Sequence, residues 1–241
     1  MPKRRVGNVV WSGVQLRDVL QECSVEPGAA FVWTHGLERG DFADVENEPY
    51  VKDLPLTKAV CPEVLLATGM NGSLLTPDRG GPARLVVPGW YGTNSVKWLG
   101  ALTLSDRRAP GPYTTRFYND PSPDGPQPVW GIAPASVLVW PSPDQPPLTG
   151  EPISIQGWAW AESGVAKVEV STDAGRTWIP AALEPRREFS WQCFRLPWIF
   201  QAGQHRISCR CFDSHGTGQP ESGSRNAVHT IVIDVLASRH A

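Results

Sequence analysis

Two arginines flank a glycine-rich turn at residues 79–84. Arg79 and Arg84 are separated by Gly80-Gly81-Pro82-Ala83, and eleven residues after Arg84 comes the run Ser95-Val96-Lys97. Guanidinium groups, a lysine and the exposed N–H groups of a glycine-rich turn are the donors that bind an anion such as a phosphate. The pattern therefore predicts an anion-binding segment, with a solvated turn that carries surface charges as the alternative.

Other patterns that indicate catalysis or metal binding are missing from the sequence. It contains no phosphate-binding P-loop, no dinucleotide fingerprint, no zinc-protease motif and no serine-hydrolase elbow. The 5 cysteines form neither a disulfide framework nor paired metal-binding motifs. Cys209 and Cys211 alternate with Ser208 and Arg210, so we expect both thiols to point into a protein core. No metal site is predicted.

The composition excludes several classes of protein. The chain has 241 residues, with 22 Lys and Arg against 24 Asp and Glu, which argues against a nucleic-acid partner. Its 23 Gly and 24 Pro predict a turn-rich, helix-poor fold. No segment approaches the roughly 18 apolar residues of a membrane helix, and polar residues interrupt 6–20 where a secretion signal would be apolar. We expect a cytoplasmic protein from the sequence as written, or a periplasmic one if a signal has been lost.

The N-terminal part predicts mixed α/β structure. Leu16, Val19, Leu20 and Cys23 have the spacing of one helix face. Strand-length apolar runs follow, and Asn71-Gly72 indicates a tight turn between strands. The alternate apolar residues of 96–104 predict a further strand with one buried face.

The C-terminal part has a different pattern. Residues 105–134 contain seven prolines and no periodicity, which indicates a linker or a functional loop, so we place a domain boundary near 134. Period-2 patterns over 135–241 predict about seven short strands, as in an immunoglobulin-like β-sandwich. Ile155 and Trp158 have opposite parity, and we expect a β-bulge at Gly157 between them.

The order of these segments closely resembles the sulfite oxidase family of molybdopterin oxidoreductases. Met70-Asn71-Gly72, residues 77–92 (PDRGGPARLVVPGWYG) and residues 95–99 (SVKWL) carry the resemblance. Residues 11–20 (WSGVQLRDVL) are similar to the family's Trp-x-Gly-x-x-Leu-Arg-Asp-Val-Leu run. Residues 170–178 (VSTDAGRTW), and Asp213-Ser214 with Gln219-Pro220, resemble parts of the family's immunoglobulin-like dimerisation domain. The resemblance covers nearly the whole chain and does not specify a substrate.

The resemblance assigns molybdopterin as the cofactor and several residues to its binding. Arg84 matches the family's cofactor-binding arginine. Ser95, Val96 and Lys97 match the Ser-Val-Lys run that holds the pterin and its phosphate, in part through the backbone. Tyr118 falls where the family has a tyrosine at the substrate pocket and is our candidate catalytic residue.

Some positions depart from the family pattern. Arg79 stands where many members have histidine, and it can still donate to an anion but cannot titrate near neutral pH. Glu38 stands where a cofactor-contacting aspartate is expected and preserves its charge. Glu221 stands eight residues before His229, where eukaryotic members have arginine.

The family's molybdenum-ligating cysteine is the largest departure. It lies in a Cys-Ala-Gly-Asn run, N-terminal to the segment that matches Trp11, and no such run occurs here. The resemblance therefore implies an α+β protein, with the C-terminal part of a sulfite oxidase-type molybdopterin domain at 1–134. An immunoglobulin-like dimerisation domain follows at 135–241. Whether this chain alone retains the cofactor stays open.

Two interpretations of function follow from the resemblance, and a third does not depend on it. The first is an oxidoreductase that transfers an oxygen atom with a small oxyanion such as sulfite, N-terminally incomplete as written and dependent on an external electron acceptor. The second is a non-catalytic pterin-binding or dimerisation protein derived from the family. We expect a homodimer through the C-terminal sandwich, with no nucleic-acid or membrane partner. A generic adhesion or carbohydrate-binding sandwich is a third interpretation, against which the cofactor-domain resemblance argues.

Overall fold

A computed structural model describes residues 7–150 and 152–237. Within these ranges the structure is mostly β-strand, and its three α-helices have six, four and four residues. The prediction of an α+β fold is therefore met only in part, because Gly and Pro leave few uninterrupted stretches for helices. Among the described helices, none has the length and apolar character needed to cross a bilayer. The chain divides into two compact units at residues 131 and 132.

The N-terminal unit, Val9–Gly131, contains three antiparallel sheets. Its elements are β1 (Trp11–Gln15), α1 (Leu16–Gln21), β2 (Phe31–Phe42), β3 (Val45–Pro55), α2 (Leu56–Ala59), β4 (Leu65–Met70), β5 (Ser73–Leu74), β6 (Arg84–Val86), β7 (Leu99–Ser105), α3 (Pro112–Thr115), β8 (Asn119–Asp120) and β9 (Gln127–Pro128). One sheet has the order β3-β2-β7, in the second β4 pairs with β1, β5 and β6, and the third pairs β8 with β9.

The predicted first helix is confirmed, with an earlier end. Leu16 and Leu20 lie one turn apart on α1, and both are buried in the core of the N-terminal unit. Cys23 is exposed beyond the end of the helix. The predicted turn at Asn71-Gly72 is also confirmed, since both residues have a positive φ, of 52° and 79°.

The strand predicted over 96–104 is wrong at its beginning. β7 begins at Leu99, because Trp98 has a φ of 46°, which breaks the extended conformation. The indole N–H of Trp98 donates to the carbonyl of Pro77 at 2.8 Å. Trp98 therefore ends the segment that returns to the glycine-rich turn, and only the residues after it join the sheet.

The C-terminal unit comprises the described residues from Ile132 on, together with Gly7 and Asn8. Its strands are β10 (Ala135–Trp140), β11 (Pro152–Trp160), β12 (Val165–Ser171), β13 (Ile179–Pro180), β14 (Ala182–Leu183), β15 (Gln192–Ile199), β16 (Gly203–Asp213) and β17 (His229–Val235). They form two four-stranded antiparallel sheets, β10-β11-β15-β14 and β13-β12-β16-β17. Both sheets contribute side chains to one apolar core, among them Phe194 of the first and Ile207 of the second.

The bulge predicted at Gly157 is wrong. β11 runs through Gly157 in unbroken register with β15, and the irregularity lies opposite, between Leu138 and Trp140 of β10. Trp158 faces outward, while Ile155 and Gly157 face the core. The odd-numbered Ile155 and the even-numbered Trp158 therefore lie on opposite faces of one regular strand. Gly157 is needed for space, since a Cβ there would lie 2.2 Å from both the Phe194 ring and the Val137 carbonyl oxygen.

The prediction that Cys209 and Cys211 point into the core is confirmed. Both are fully buried, and Ser136 donates its hydroxyl to the sulfur of Cys209 at 3.3 Å. Burial raises the pKa of the Cys211 thiol to about 12. Both residues therefore pack as small apolar side chains within this core. Within residues 7–150 and 152–237, no cluster of three or more His, Cys, Asp or Glu could hold a metal ion.

Asp173 organises the turn between β12 and β13, and its removal is expected to destabilise the C-terminal unit. Its carboxylate accepts the hydroxyl of Thr177 at 2.6 Å, the backbone N–H of Thr177 at 2.9 Å and the hydroxyl of Ser171 at 2.8 Å. These bonds, that of the Thr177 hydroxyl first, lower the pKa of Asp173 to about 2 from 3.8. The stabilisation is present above the higher value and is lost as the pH falls through the lower one.

Thermal unfolding of wild-type chain and Asp173→Ala between pH 2 and 6 tests this. We expect Asp173→Ala to melt at a lower temperature than wild type at pH 6, with the difference shrinking towards pH 2. Asp173→Asn keeps the shape and one acceptor oxygen, so it should lie between the two at pH 6. Equal melting temperatures at pH 6 would contradict the prediction.

Candidate anion-binding cleft

An open cleft in the N-terminal unit has a cavity volume of about 270 Å³. This is slightly below the roughly 300–1,000 Å³ that is usual for ligand sites, so the cleft has space for part of a cofactor-sized molecule. The turn region from residue 84 to 97 supplies most of one wall, and β2 and β3 supply the other. Its lining residues are Glu38, Tyr50, Arg84, Gly92, Thr93, Ser95 and Lys97. The structure thus brings together four of the predicted site residues: Glu38, Arg84, Ser95 and Lys97.

Backbone hydrogen bonds position the basic wall. The chain leaves the glycine-rich turn, forms β6 and returns antiparallel to it, so that Leu85 N–H donates to the Val96 carbonyl at 2.8 Å. Further along, Trp98 N–H donates to the Gly80 carbonyl at 3.1 Å. Ser95 closes the loop, because its hydroxyl oxygen accepts the N–H of Val87 at 3.1 Å. The site residues therefore lie on a hydrogen-bonded frame rather than on a free loop.

Arg84 is the best-positioned cation of the cleft. Its Nη1 donates to the Arg79 carbonyl at 3.0 Å, and its Nη2 donates to the Ser95 carbonyl at 2.9 Å. The guanidinium carbon lies 5.0 Å from the ring centre of Trp11. Its buried Nε has no hydrogen-bond partner among the described residues. A buried donor without an acceptor is unfavourable, so Arg84 has capacity for an anionic ligand.

Two effects act in the same direction on the pKa of Arg84. Burial lowers the pKa of its guanidinium, and the nearby Arg79 lowers it further. The group remains charged at neutral pH because an arginine begins from a value far above 7. A phosphate bound there would relieve both effects, since it supplies the missing opposite charge and an acceptor.

Lys97 is held in place by the glycine-rich turn. Its Nζ donates to the Asp78 carbonyl at 3.0 Å and lies 4.8 Å from the Trp98 ring centre. Gly80 lies directly against it, with a φ of 90°. A Cβ at Gly80 would approach the Cβ and Cγ of Lys97 to 2.8 Å. The turn thus needs glycine for both its backbone conformation and its closeness to Lys97.

Gly80→Ala is expected to destabilise the chain by about 1 kcal/mol more than Gly72→Ala does, because of overpacking against Lys97. Gly72 is a matched control, since its φ of 79° is similar and a Cβ there would meet nothing within 4 Å. Urea denaturation of both variants measures the difference. Binding of inorganic phosphate should weaken only in Gly80→Ala. The prediction is wrong if the two variants lose equal stability.

The opposite wall is polar and carries one acid. Tyr50 donates its hydroxyl to the Thr93 carbonyl at 2.7 Å, and its oxygen lies 2.6 Å from the Thr93 hydroxyl. Burial raises the pKa of the Tyr50 phenol, so it stays a neutral donor. Glu38 is exposed in the extended part of β2 and presents an acceptor to the cleft.

The other predicted site residues do not line the cleft. Val96 is 1% exposed and packs into the core, so only its backbone is available for a ligand. Arg79 is exposed; its carbonyl accepts from Arg84, and its backbone N–H donates to the Thr76 carbonyl at 3.0 Å. Tyr118 is half-buried in an aromatic cluster beside Tyr50, with its ring stacked on Phe42 at 6.4 Å. A direct ligand role for these three residues stays a prediction.

Sequence patterns did not identify Tyr50, Thr93 or Lys52. Tyr50 and Thr93 line the cleft, and Lys52 lies two residues beyond Tyr50 on the same side of β3. The sequence offers one signal, the alternation of Tyr50 and Lys52 in the strand that ends at Pro55. Alternation alone does not show which face of the sheet lines the cleft.

Comparisons with known proteins identify the class. Residues 1–113 match the family model of the oxidoreductase molybdopterin binding domain. Residues 128–233 match that of the Mo-co oxidoreductase dimerisation domain. These two domains, in this order and over most of the chain, are those of the molybdopterin oxidoreductase family.

The particular family follows from the similar proteins. Sulfite oxidase from Gallus gallus is 35% identical to this chain, and the alignment covers 88% of this chain and 50% of that protein. Mitochondrial sulfite oxidase from Homo sapiens is 32% identical, with 88% of this chain and 42% of that protein covered. The sulfane dehydrogenase SoxCD from Paracoccus pantotrophus superposes with a TM-score of 0.80 at 28% identity, covering 92% of this chain and 61% of that one. The chain belongs to the sulfite oxidase family, and it spans about half the length of the curated relatives that it matches.

Proposed function

We propose that the cleft binds the pterin and phosphate end of molybdopterin within an oxidoreductase of this family. The observation that carries the proposal is the unpartnered Nε of Arg84 in a cleft that Ser95 and Lys97 also line. A phosphate needs several charge-assisted donors, and the frame around Arg84 supplies them. Ser95, whose hydroxyl oxygen already accepts from Val87, can donate its proton to the same ligand.

The donor set also suits the ring system of a pterin. A pterin carries ring nitrogens and amino groups that need both donors and acceptors. Glu38 supplies an acceptor on one side, and the exposed backbone at Gly92 leaves space, since a Cβ there would meet nothing within 4 Å. The arrangement separates the charges, with cations for the phosphate and a carboxylate for the ring.

The described residues do not supply the metal end of the cofactor. Cys23 is exposed beyond α1 and Cys61 lies after α2, and no cysteine is among the residues that line the cleft. The proposal for this chain is therefore limited to holding the pterin and its phosphate. The bound cofactor supplies oxygen-atom and electron transfer, which protein side chains do not provide.

For the complete reaction we propose oxidation of a small oxyanion such as sulfite. Conversion of sulfite to sulfate takes one oxygen atom from water and releases two protons and two electrons, which pass to an external acceptor. Tyr118 is the residue that would donate a hydrogen bond to the oxyanion. Its ring stacks on Phe42 in an aromatic cluster with Tyr113, and Tyr113 in turn packs against Tyr50 of the cleft.

We also propose that the C-terminal unit is an immunoglobulin-like sandwich that forms a homodimer. Its two antiparallel sheets around one core, and its match to a dimerisation domain, support this. Val139 and Trp158 are partly exposed on adjacent strands of the first sheet and offer apolar surface. Light scattering of the purified chain measures its mass and tests the dimer.

A non-catalytic pterin-binding or dimerisation protein is the second candidate. The absence of a cysteine among the described lining residues favours it. The two candidates differ in whether molybdenum accompanies the pterin.

Metal analysis and the fluorescence of oxidised pterin, both measured on the purified full chain, test the proposal. Pterin with molybdenum supports the oxidoreductase, and sulfite turnover is then the next assay. Pterin without molybdenum supports the non-catalytic candidate. If molybdopterin from a donor enzyme neither copurifies with the chain nor binds to it, the proposed function is wrong.

A further inference from the structure

Lys52 is a buried cation without a carboxylate partner among the described residues. The residue is 1% exposed, and its Nζ donates to the carbonyl of Tyr113 at 2.8 Å. Its neighbour Asp53 is committed elsewhere, because Arg108 donates to both carboxylate oxygens at 3.0 Å. Burying an ammonium group in this way is unfavourable unless another electron-rich group faces it.

The electron-rich group is the ring of Tyr118. Nζ of Lys52 lies 5.0 Å from its centre, within the range of a cation–π contact. On the same ring Phe42 stacks at 6.4 Å with an interplanar angle of 22°. The ammonium group and the Phe42 ring together restrict where the Tyr118 ring can lie.

The backbone of Tyr118 is also constrained. Its φ is 57°, a conformation that large side chains rarely adopt. Its carbonyl accepts the N–H of Val129 at 2.9 Å, which holds this conformation. A tyrosine fixed at both its backbone and its ring carries its hydroxyl in a defined position.

We propose that Lys52 is a positioning residue that acts through Tyr118. Its ammonium group fixes the Tyr118 ring and places a positive charge beside it, which strengthens the hydroxyl as a donor to an anion. This inference rests on the proposed function, in which Tyr118 faces a small oxyanion. Lys52 itself touches Tyr113 and Tyr118 and is not one of the residues that line the cleft.

The protonation of Lys52 supplies a way to test the role of its charge. Burial lowers the pKa of Lys52 to about 8, while Asp53 opposes the shift and Arg108 adds to it. The titratable group that faces it is Tyr118, Tyr113 contributes its backbone carbonyl, and the charges of Asp53 and Arg108 act on it from nearby. The positive charge is therefore present below this pH and is lost above it.

The experiment is a pH titration of the full chain with ring-labelled tyrosine, followed by NMR. The chain contains only 4 tyrosines, so Tyr→Phe substitutions can assign each signal. We expect the Tyr118 signal to shift with an inflection near pH 8, and Tyr91 to show none. Lys52→Met should abolish the inflection. Lys58→Met is the matched control, because Lys58 also faces a ring, that of Trp90 at 5.7 Å, but pairs with Glu63.

The outcomes separate this inference from the proposed function. An inflection near pH 8 that survives Lys58→Met and disappears in Lys52→Met supports the inference. Its absence in the wild-type chain overturns it, and that measurement needs no variant to fold. If molybdopterin fails to bind while Tyr118 still responds to Lys52, the proposed function fails and the coupling between Lys52 and Tyr118 stands.

Discussion

Replacing Arg84 with methionine is expected to weaken the binding of molybdopterin by about 10- to 100-fold. A charge-assisted hydrogen bond contributes about 1.5–3 kcal/mol, and methionine has no donor to replace it. The side chain of Arg84 lies 5.0 Å from the indole of Trp11, one of 11 tryptophans, so the fluorescence difference between the chain and its Trp11→Phe variant offers a local probe. The measurement is a titration of the full chain with molybdopterin released from a donor enzyme.

Two further variants separate the role of Arg84 in the site from its role in the fold. Arg84→Lys keeps the charge but cannot reach two carbonyls with one planar group, so we expect intermediate binding. Arg39→Met removes a cation from an exposed part of β2, outside the lining of the cleft, and should bind as wild type does. Urea denaturation of all three shows whether the loss of two carbonyl partners affects stability. Unchanged binding in a folded Arg84→Met would contradict the assignment.

The basic wall of the cleft is predictable from sequence because its parts are close along the chain. Arg84 and Ser95 are eleven residues apart, and a single return of the backbone joins them at 2.9 Å. Glycines at the turn indicate that backbone donors are accessible there. Local spacing therefore carries enough information, and resemblance to a family adds the identity of the ligand.

The opposite wall depends on contacts that local spacing does not contain. Tyr50 reaches Thr93 across 43 residues, from a strand to a turn. Lys52 would be expected at the surface, since lysine is rarely fully buried, but in the structure its ammonium group contacts Tyr113 and Tyr118. Glu38 was found by resemblance, because a single acid in an exposed strand has no distinctive pattern of its own.

The interpretation of Gly157 was wrong for a similar reason, because contacts between strands are not visible in local spacing. Ile155 and Trp158 have opposite parity because they lie on different faces of one regular strand, whereas we interpreted the difference as a bulge. The glycine between them suggested a bulge because a glycine within a strand often marks one. In the structure Gly157 lies under the Phe194 ring of the next strand, so its small size serves packing rather than backbone conformation.

Gly157→Ala is accordingly expected to destabilise the C-terminal unit by roughly 3 kcal/mol, at the upper end for overpacked cores. An added Cβ would lie 2.2 Å from the Phe194 ring and 2.2 Å from the carbonyl oxygen of Val137. The ring can move only at the expense of the core, because Phe194 is fully buried. The carbonyl belongs to β10 and can move only if the strand shifts. Urea denaturation of the full chain, followed by the transition of the C-terminal unit, measures the effect.

A second substitution tests whether the Phe194 ring is the cause. Phe194→Leu alone is expected to destabilise the unit, because it leaves a cavity. The double variant with Gly157→Ala should lose less stability than the sum of the two single variants. Leucine leaves empty part of the space that the added methyl group needs. Gly40→Ala in β2 is the control for the change of residue type, since a Cβ there would meet nothing within 4 Å, and it should be nearly neutral. Additive losses would instead assign the clash to the Val137 carbonyl, and a stable Gly157→Ala would mean that β10 and β11 can separate without loss of the core.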